Sequence, residues 1–164
     1  MKTWGITGWK NSGKTGLVER LVAHFVAEGL TVSTIKHAHH SFDVDHPGRD
    51  SYRHRDAGAS EVILASRNRI AQMTELRGAD EPRLDDLIAR LRPCDLVLIE
   101  GYKTARHPKI EAHRAATGQP LIAPGDATIR AVASDTAPTG LSVPVLPLDD
   151  TAAIAAFIRA GLSL

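Results

Sequence analysis

The sequence predicts an α/β fold of the phosphate-loop NTPase type: a mostly parallel central sheet flanked by helices, with an antiparallel hairpin at one edge. Three observations predict it. Gly8-Trp9-Lys10-Asn11-Ser12-Gly13-Lys14-Thr15 fits the pattern G-x-x-x-x-G-K-[ST] letter for letter. A short strand, Trp4-Gly5-Ile6-Thr7, runs into this loop, and an amphipathic helix leaves it with Leu17, Val18, Leu21, Val22, Phe25 and Val26 at helical spacing. Farther on, the apolar run Leu96-Val97-Leu98-Ile99, ended by Glu100, describes a strand buried on both faces, as parallel strands are.

The loop carries the first chemistry. Gly8 and Gly13 allow a turn tight enough for the backbone N–H groups to converge on phosphate oxygens, and the positive end of the following helix adds its dipole. Lys14 is expected to reach the β- and γ-phosphates, and the Thr15 hydroxyl to join the shell of a bound Mg²⁺. Both flanking elements are in place, which separates this reading from a chance glycine turn before a helix.

Whole-chain properties bound the rest. A length of 164 residues suits a single nucleotide-binding domain spanning 1–164. Lys and Arg number 20 against 19 Asp and Glu, a net charge of +1, so no global field favours nucleic acid or an anionic membrane. Cys94 is the only cysteine; it excludes an internal disulfide and a C-x-x-C metal site and fits a reducing, cytoplasmic compartment. No apolar run has membrane-span length, and the chain starts directly on a strand rather than on a signal-peptide core.

After the first helix, Gly29 precedes Leu30-Thr31-Val32-Ser33-Thr34-Ile35-Lys36, a β-branched second strand. Strand, helix, strand begins a doubly wound sheet, in which ligands gather at the carboxyl ends of the strands. The next segment, His37 to Gly48, carries His37, His39, His40, His46, Asp43 and Asp45. This composition fits a transition-metal site or a polar loop near phosphate, and no regular ligand spacing decides between them. Asp45 is a candidate oxygen ligand for the nucleotide's Mg²⁺, or the Asp of the turn before His46-Pro47-Gly48.

Arg49 to Gly58 reads as a short helix on which Asp50, Arg53, His54 and Ala57 share one face, either solvated or substrate-binding. Ser60–Ala65 and Ile70–Leu76 form the hairpin, joined by Ser66-Arg67-Asn68-Arg69. Pro82 opens a helix with Leu84, Leu87, Ile88 and Leu91 on its apolar side, and Pro93 closes it.

Asp95 and Glu100 bracket the buried strand. At about 3.3 Å per residue they stand roughly 16 Å apart, so only Glu100 lies at the ligand end. Glu100 is therefore the expected Mg²⁺-side acid, and Gly101 a candidate N–H donor to the γ-phosphate. Pro108–Arg114 and Ile129–Ala133 are further strands around an irregular stretch, 115–128; Val143–Leu146 is a late strand. Asp149-Asp150-Thr151 then caps a last helix carrying Ile154, Phe157 and Ile158.

Several stretches together resemble the molybdopterin-guanine dinucleotide biosynthesis adaptor family, MobB: GWKNSGKT at 8–15, the segment Asp45 to Ala59, IEGYK at 99–103, PKIEAHR at 108–114 and VASD at 132–135. They span most of the chain in that family's order. The resemblance implies a GTP-binding, usually homodimeric protein with weak GTPase activity. It implies assistance to a MobA-type molybdenum cofactor guanylyltransferase that attaches GMP to molybdopterin, with GTP and Mg²⁺ as cofactors. Carried onto this chain, it gives Gly8 to Thr15 and Glu100 the phosphate and metal roles already described, with Lys14 and Glu100 as the catalytic pair. It places base recognition at Ser134-Asp135, where a carboxylate could accept from guanine N1–H and N2–H₂.

Two other functions use the same residues. A small-molecule kinase would place its acceptor near Arg53 and His54 and needs lid arginines, for which Arg67-Asn68-Arg69 is the sole candidate. A metal-delivery NTPase would use His37, His39, His40 and His46.

Overall fold

A computed structural model describes residues 1–38 and 43–164. They divide into two compact units, Met1–His37 with Leu84–Leu164, and Ala38–Arg83.

The first unit holds a six-stranded sheet built from β1 (Lys2–Thr7), β2 (Val32–Lys36), β5 (Leu96–Glu100), β6 (Lys109–His113), β7 (Ile129–Ser134) and β8 (Val145–Pro147). Its order is β2-β5-β1-β6-β7-β8, and every pairing is parallel. β1 stands centrally, with β5 on one side and β6 on the other. The loop leaving its carboxyl end therefore opens into the crevice where such sheets bind ligands.

Alternation along the strands sorts the two faces. Trp4, Ile6, Leu96, Leu98, Ile110, Ala112, Ala131 and Ala133 form a core with Leu17, Leu21 and Phe25 of α1 (Lys14–Ala27) and with Ile154, Ala155 and Ile158 of α4 (Thr151–Leu162). The predicted helical spacing thus faces the sheet, except that Val26 is 53% exposed. Trp4 meets Phe157 edge-on at 6.1 Å, and Asp150 caps α4 by accepting from the Ala153 N–H.

The opposite face buries the apolar Val97, Ile99 and Val132 together with two charged side chains. The Lys109 ammonium is fully covered and donates to the Ala105 carbonyl at 2.6 Å and the Thr128 hydroxyl at 2.5 Å, with Asp126 at 3.4 Å. Glu111, also fully covered, accepts from the backbone N–H groups of Ile122 and Ala123 at 2.9 and 2.8 Å. Buried charges persist only when paired or hydrogen-bonded, so these two residues fasten the connections 102–108 and 114–128 to the sheet.

The second unit contains α2 (Asp50–Asp56) and the antiparallel hairpin β3 (Glu61–Ala65) with β4 (Ile70–Thr74). The hairpin forms a two-stranded sheet of its own, not the edge of the main sheet. Its strand lengths and Ser66–Arg69 turn complete a local ladder, and the main sheet's edges are β2 and β8. The helix expected after Pro82 is the short α3 (Leu84–Ala89) in the first unit.

Candidate functional site

The glycine loop turns between β1 and α1 as its spacing predicts. Gly8 has φ +143°, and a Cβ there would lie 2.3 Å from the Ala112 carbonyl oxygen and 2.6 Å from Ser12 Oγ. Only glycine fits that closeness of β6. Gly13, with φ 93°, precedes α1; no side chain caps this helix and its first turn carries no acid. The loop hydroxyl of Ser12 is buried without a hydrogen-bond partner among the described residues, and so is that of Thr7. An uncapped helix start, positive in potential and ringed by unpartnered donors, is suited to phosphate.

Cations gather at this point. Lys14 Nζ donates to the Trp9 carbonyl at 2.5 Å, folding the side chain back over its own loop. Burial holds the Lys14 pKa below its ordinary value; Glu100 opposes that shift, and the nearby ammoniums of Lys103 and Lys36 add to it. Lys103 Nζ lies over the Trp9 ring, 3.9 Å from its centroid. Three ammoniums against one carboxylate leave local positive charge for a polyanion to neutralise.

Thr15 and Glu100, 85 residues apart in sequence, meet here: the Thr15 hydroxyl donates to Glu100 Oε1 at 2.9 Å. Both supply hard oxygen donors, the chemistry Mg²⁺ takes, so the pair fits the metal expected of it. Asp95 stands at the other end of β5, where its Oδ2 accepts from the Thr31 N–H at 2.8 Å and the Thr31 hydroxyl at 2.6 Å. That hydroxyl, first among the causes, holds the Asp95 carboxyl below its usual pKa. The two acids are placed as the strand geometry requires.

Two expectations are corrected. The Gly101 N–H donates to the Ile6 carbonyl at 3.0 Å and is not directed to a γ-phosphate. The β1–β5 ladder pairs Ile6 with Glu100, and its next hydrogen bond engages Gly101. Ser134 is 3% exposed, its Oγ lies 3.0 Å from His113 Nδ1, and it accepts from the Thr136 N–H at 3.1 Å. Alternation turns Ser134 with Val132 away from the Ala131 and Ala133 face, so its side chain supports the strand end instead of meeting a base.

Asp135 is exposed, and its Oδ1 accepts from the Ala115 N–H at 2.9 Å, fixing the start of the turn Ala115–Thr117. That turn walls a cleft of about 580 Å³ lined by Trp9, Lys10, Asn11, Arg114, Ala116, Thr117 and Gln119. Trp9 closes it by donating from Nε1 to the Pro120 carbonyl at 2.7 Å. Arg114 stands against the loop, its Nε 3.0 Å from where a Cβ on Gly13 would be. Sequence reasoning gave Lys36, Lys103 and Arg114 no role. A basic residue at the carboxyl end of a predicted strand was the available signal for Lys36 and Arg114.

In the second unit, Asp45 accepts from the Ser51 hydroxyl at 3.0 Å through Oδ1, and its Oδ2 lies 3.6 Å from Arg55 Nε. Arg55 also binds Glu75 at 2.7 Å and Asp43 at 2.9 Å, and these carboxylates, Glu75 first, hold its pKa above its already high value. Asp50, Arg53, His54 and Ala57 do share a face and line a groove with Asp56. Arg67-Asn68-Arg69 forms the hairpin turn, with the Ser66 N–H donating to the Arg69 carbonyl. His39 and His40 of the proposed metal tract lie outside the described residues; among those described, no three His, Cys, Asp or Glu cluster to hold a metal. No helix among them is long and apolar enough to cross a membrane.

The family model for molybdopterin guanine dinucleotide synthesis protein B, MobB, matches residues 3–135. The molybdopterin-guanine dinucleotide biosynthesis adapter protein of Escherichia coli K12 is 40% identical over 153 residues, 92% of this chain and 87% of that protein. The crystal structure of a MobB homolog from Bacillus stearothermophilus aligns with TM-score 0.70 and 31% identity over 99% of both chains. Bacillus subtilis MobB aligns with TM-score 0.75 over 99% of this chain and 98% of that one; at 24% identity it is a likeness of fold.

Proposed function

We propose a function from one premise: this chain belongs to the molybdopterin guanine dinucleotide synthesis protein B family. Its role is that of an adapter in molybdopterin guanine dinucleotide biosynthesis. Within that role it binds GTP with Mg²⁺ and hydrolyses it slowly. The observation that carries the nucleotide reading is the meeting of Thr15 with Glu100 at 2.9 Å beside Lys14, at an uncapped helix start.

In this reading the loop from Gly8 to Thr15 holds the phosphates by backbone N–H groups, and Lys14 exchanges the Trp9 carbonyl for phosphate oxygens. Bound Mg²⁺ would supply positive charge to neutralise the phosphates. Thr15 and Glu100 hold it. Asp45, the other expected metal ligand, is engaged within the second unit by Ser51 and Arg55, and this reading gives it no part in holding the ion. The cleft beside Trp9 and Arg114 takes the nucleoside, and Asp135 selects guanine through the lone pairs that Ala115 leaves free.

Calorimetric titration of GTP and ATP with Mg²⁺ tests this directly. Two hydrogen bonds to a carboxylate, each worth about 1.5–3 kcal/mol, predict a GTP preference of at least about 100-fold. In Asp135→Ala the two nucleotides converge. Equal affinity in the unaltered protein removes guanine recognition from Asp135.

The partner in this reading is a MobA-type guanylyltransferase, and the protein acts as a homodimer on molybdopterin. The hairpin supports self-association, because Ile63 and Ile70 are 63% and 61% exposed and a lone two-stranded ladder is marginal in water. Sedimentation velocity of the chain alone and mixed with such a transferase is expected to show a dimer and then a heavier complex. Ile63→Asp with Ile70→Asp yields the monomer; a dimer indifferent to both changes places the interface elsewhere.

A further inference from the structure

Lys36 touches both members of the metal pair. Its Nζ donates to Glu100 Oε1 at 3.1 Å and to Thr15 Oγ1 at 3.2 Å, while Thr15 and Glu100 are themselves hydrogen-bonded. The contact is built into the sheet, because β2 and β5 are neighbours and their register sets Lys36 opposite Glu100. Glu100 has a side chain only 10% exposed, whereas that of Lys36 is 57% exposed. The carboxylate is fixed in the protein and the ammonium reaches it from solvent.

We propose that Lys36 is an exchangeable internal counter-ion, holding the Thr15–Glu100 pair when no divalent ion is bound and yielding that position to Mg²⁺. The inference rests on the nucleotide reading above and deepens it. An ammonium held by one hydroxyl oxygen and one carboxylate oxygen engages the same two atoms that a divalent ion there would use. Both cannot be there together, since like charges at such separation repel strongly in a partly desolvated site. A nearly buried carboxylate without a counter-ion would carry a desolvation penalty, and Lys36 removes it in the metal-free protein. The exposed stem lets the ammonium leave without disturbing the sheet. Metal binding is thereby an exchange of cations on a preformed acid, and intrinsic metal affinity is held low until a nucleotide supplies further oxygen ligands.

The probe is Mn²⁺ alone, titrated into the nucleotide-free full chain and followed by electron paramagnetic resonance. Lys36→Met is expected to bind Mn²⁺ at least about tenfold more tightly than the unaltered protein, and Lys36→Gln similarly, with thermal unfolding confirming that both are folded. Lys103→Met removes a neighbouring ammonium whose contact is the Trp9 ring, and raises Mn²⁺ affinity by less than about threefold. Unchanged or weaker Mn²⁺ binding in both Lys36 variants overturns the proposal, and so does an equal gain in Lys103→Met, which would make the effect a general field. GTP titration of the same samples separates the two levels. Loss of the nucleotide reading appears as no Lys14-dependent GTP binding in the unaltered protein, whatever Mn²⁺ does; failure of the exchange alone leaves GTP binding intact.

Discussion

Lys14→Ala is expected to abolish tight GTP binding, weakening it by about 100-fold or more while the protein stays folded. Hydrogen bonds to charged groups contribute about 1.5–3 kcal/mol each, and an ammonium shared between β- and γ-phosphate oxygens makes at least two. Roughly 3 kcal/mol or more corresponds to two decades in affinity. The fold is spared because the hydrogen bond that Lys14 makes ends on the Trp9 carbonyl, within the loop itself. Burial together with two nearby ammoniums keeps Lys14 below its ordinary pKa, so incoming phosphate stabilises a charge that these surroundings disfavour. Lys14→Arg keeps the charge but carries a planar fork in place of a compact ammonium, and is expected to recover only part of the affinity. Calorimetry on the three proteins, with near-ultraviolet circular dichroism as the folding control, makes the comparison. Native affinity in a folded Lys14→Ala protein would remove the phosphate site from this loop.

Local pattern made some of this legible and topology hid the rest. The loop, its strand and its helix are written in consecutive residues, since glycine positions and apolar spacing are short-range signals. The place of Glu100 was readable because four apolar residues before it marked a buried strand, and ligands gather at the carboxyl ends of such strands. Lys36 was not, because its role depends on β2 lying beside β5, two strands separated by 59 residues of chain from Lys36 to Leu96. The same holds for Lys109 and Glu111, whose buried charges make sense only once the connections they anchor are in place. Ser134 was readable in principle: it shares parity with Val132, and Ala131 and Ala133 face the core. The Gly101 N–H could not be judged from sequence, since a parallel ladder extends or stops according to the partner strand's length.

The two acids of β5 give the second large effect, as a crossed pair of phenotypes. Glu100→Gln keeps the hydrogen-bond acceptor for Thr15 but removes the charge that pairs with Lys36 and with a divalent ion. Mg²⁺-dependent GTP affinity is expected to fall by at least about tenfold, while binding measured in excess chelator changes little. Asp95→Asn acts on the other end of the sheet. It weakens the carboxylate's two hydrogen bonds to Thr31, lowers Tm, and leaves nucleotide affinity unchanged. The folded-state pKa of Asp95 is depressed, so the stability it contributes is present above the ordinary carboxylate pKa and is lost as pH falls through the lower folded value. The Tm difference between Asp95→Asn and the unaltered protein should therefore be full at neutral pH and close as the solution is acidified. If Asp95→Asn weakened Mg²⁺-dependent binding more than Glu100→Gln did, the metal would belong at the amino end of β5. A sheet of this polarity cannot bring the glycine loop there, because β1 and β5 run parallel and the loop leaves the same end that Glu100 occupies.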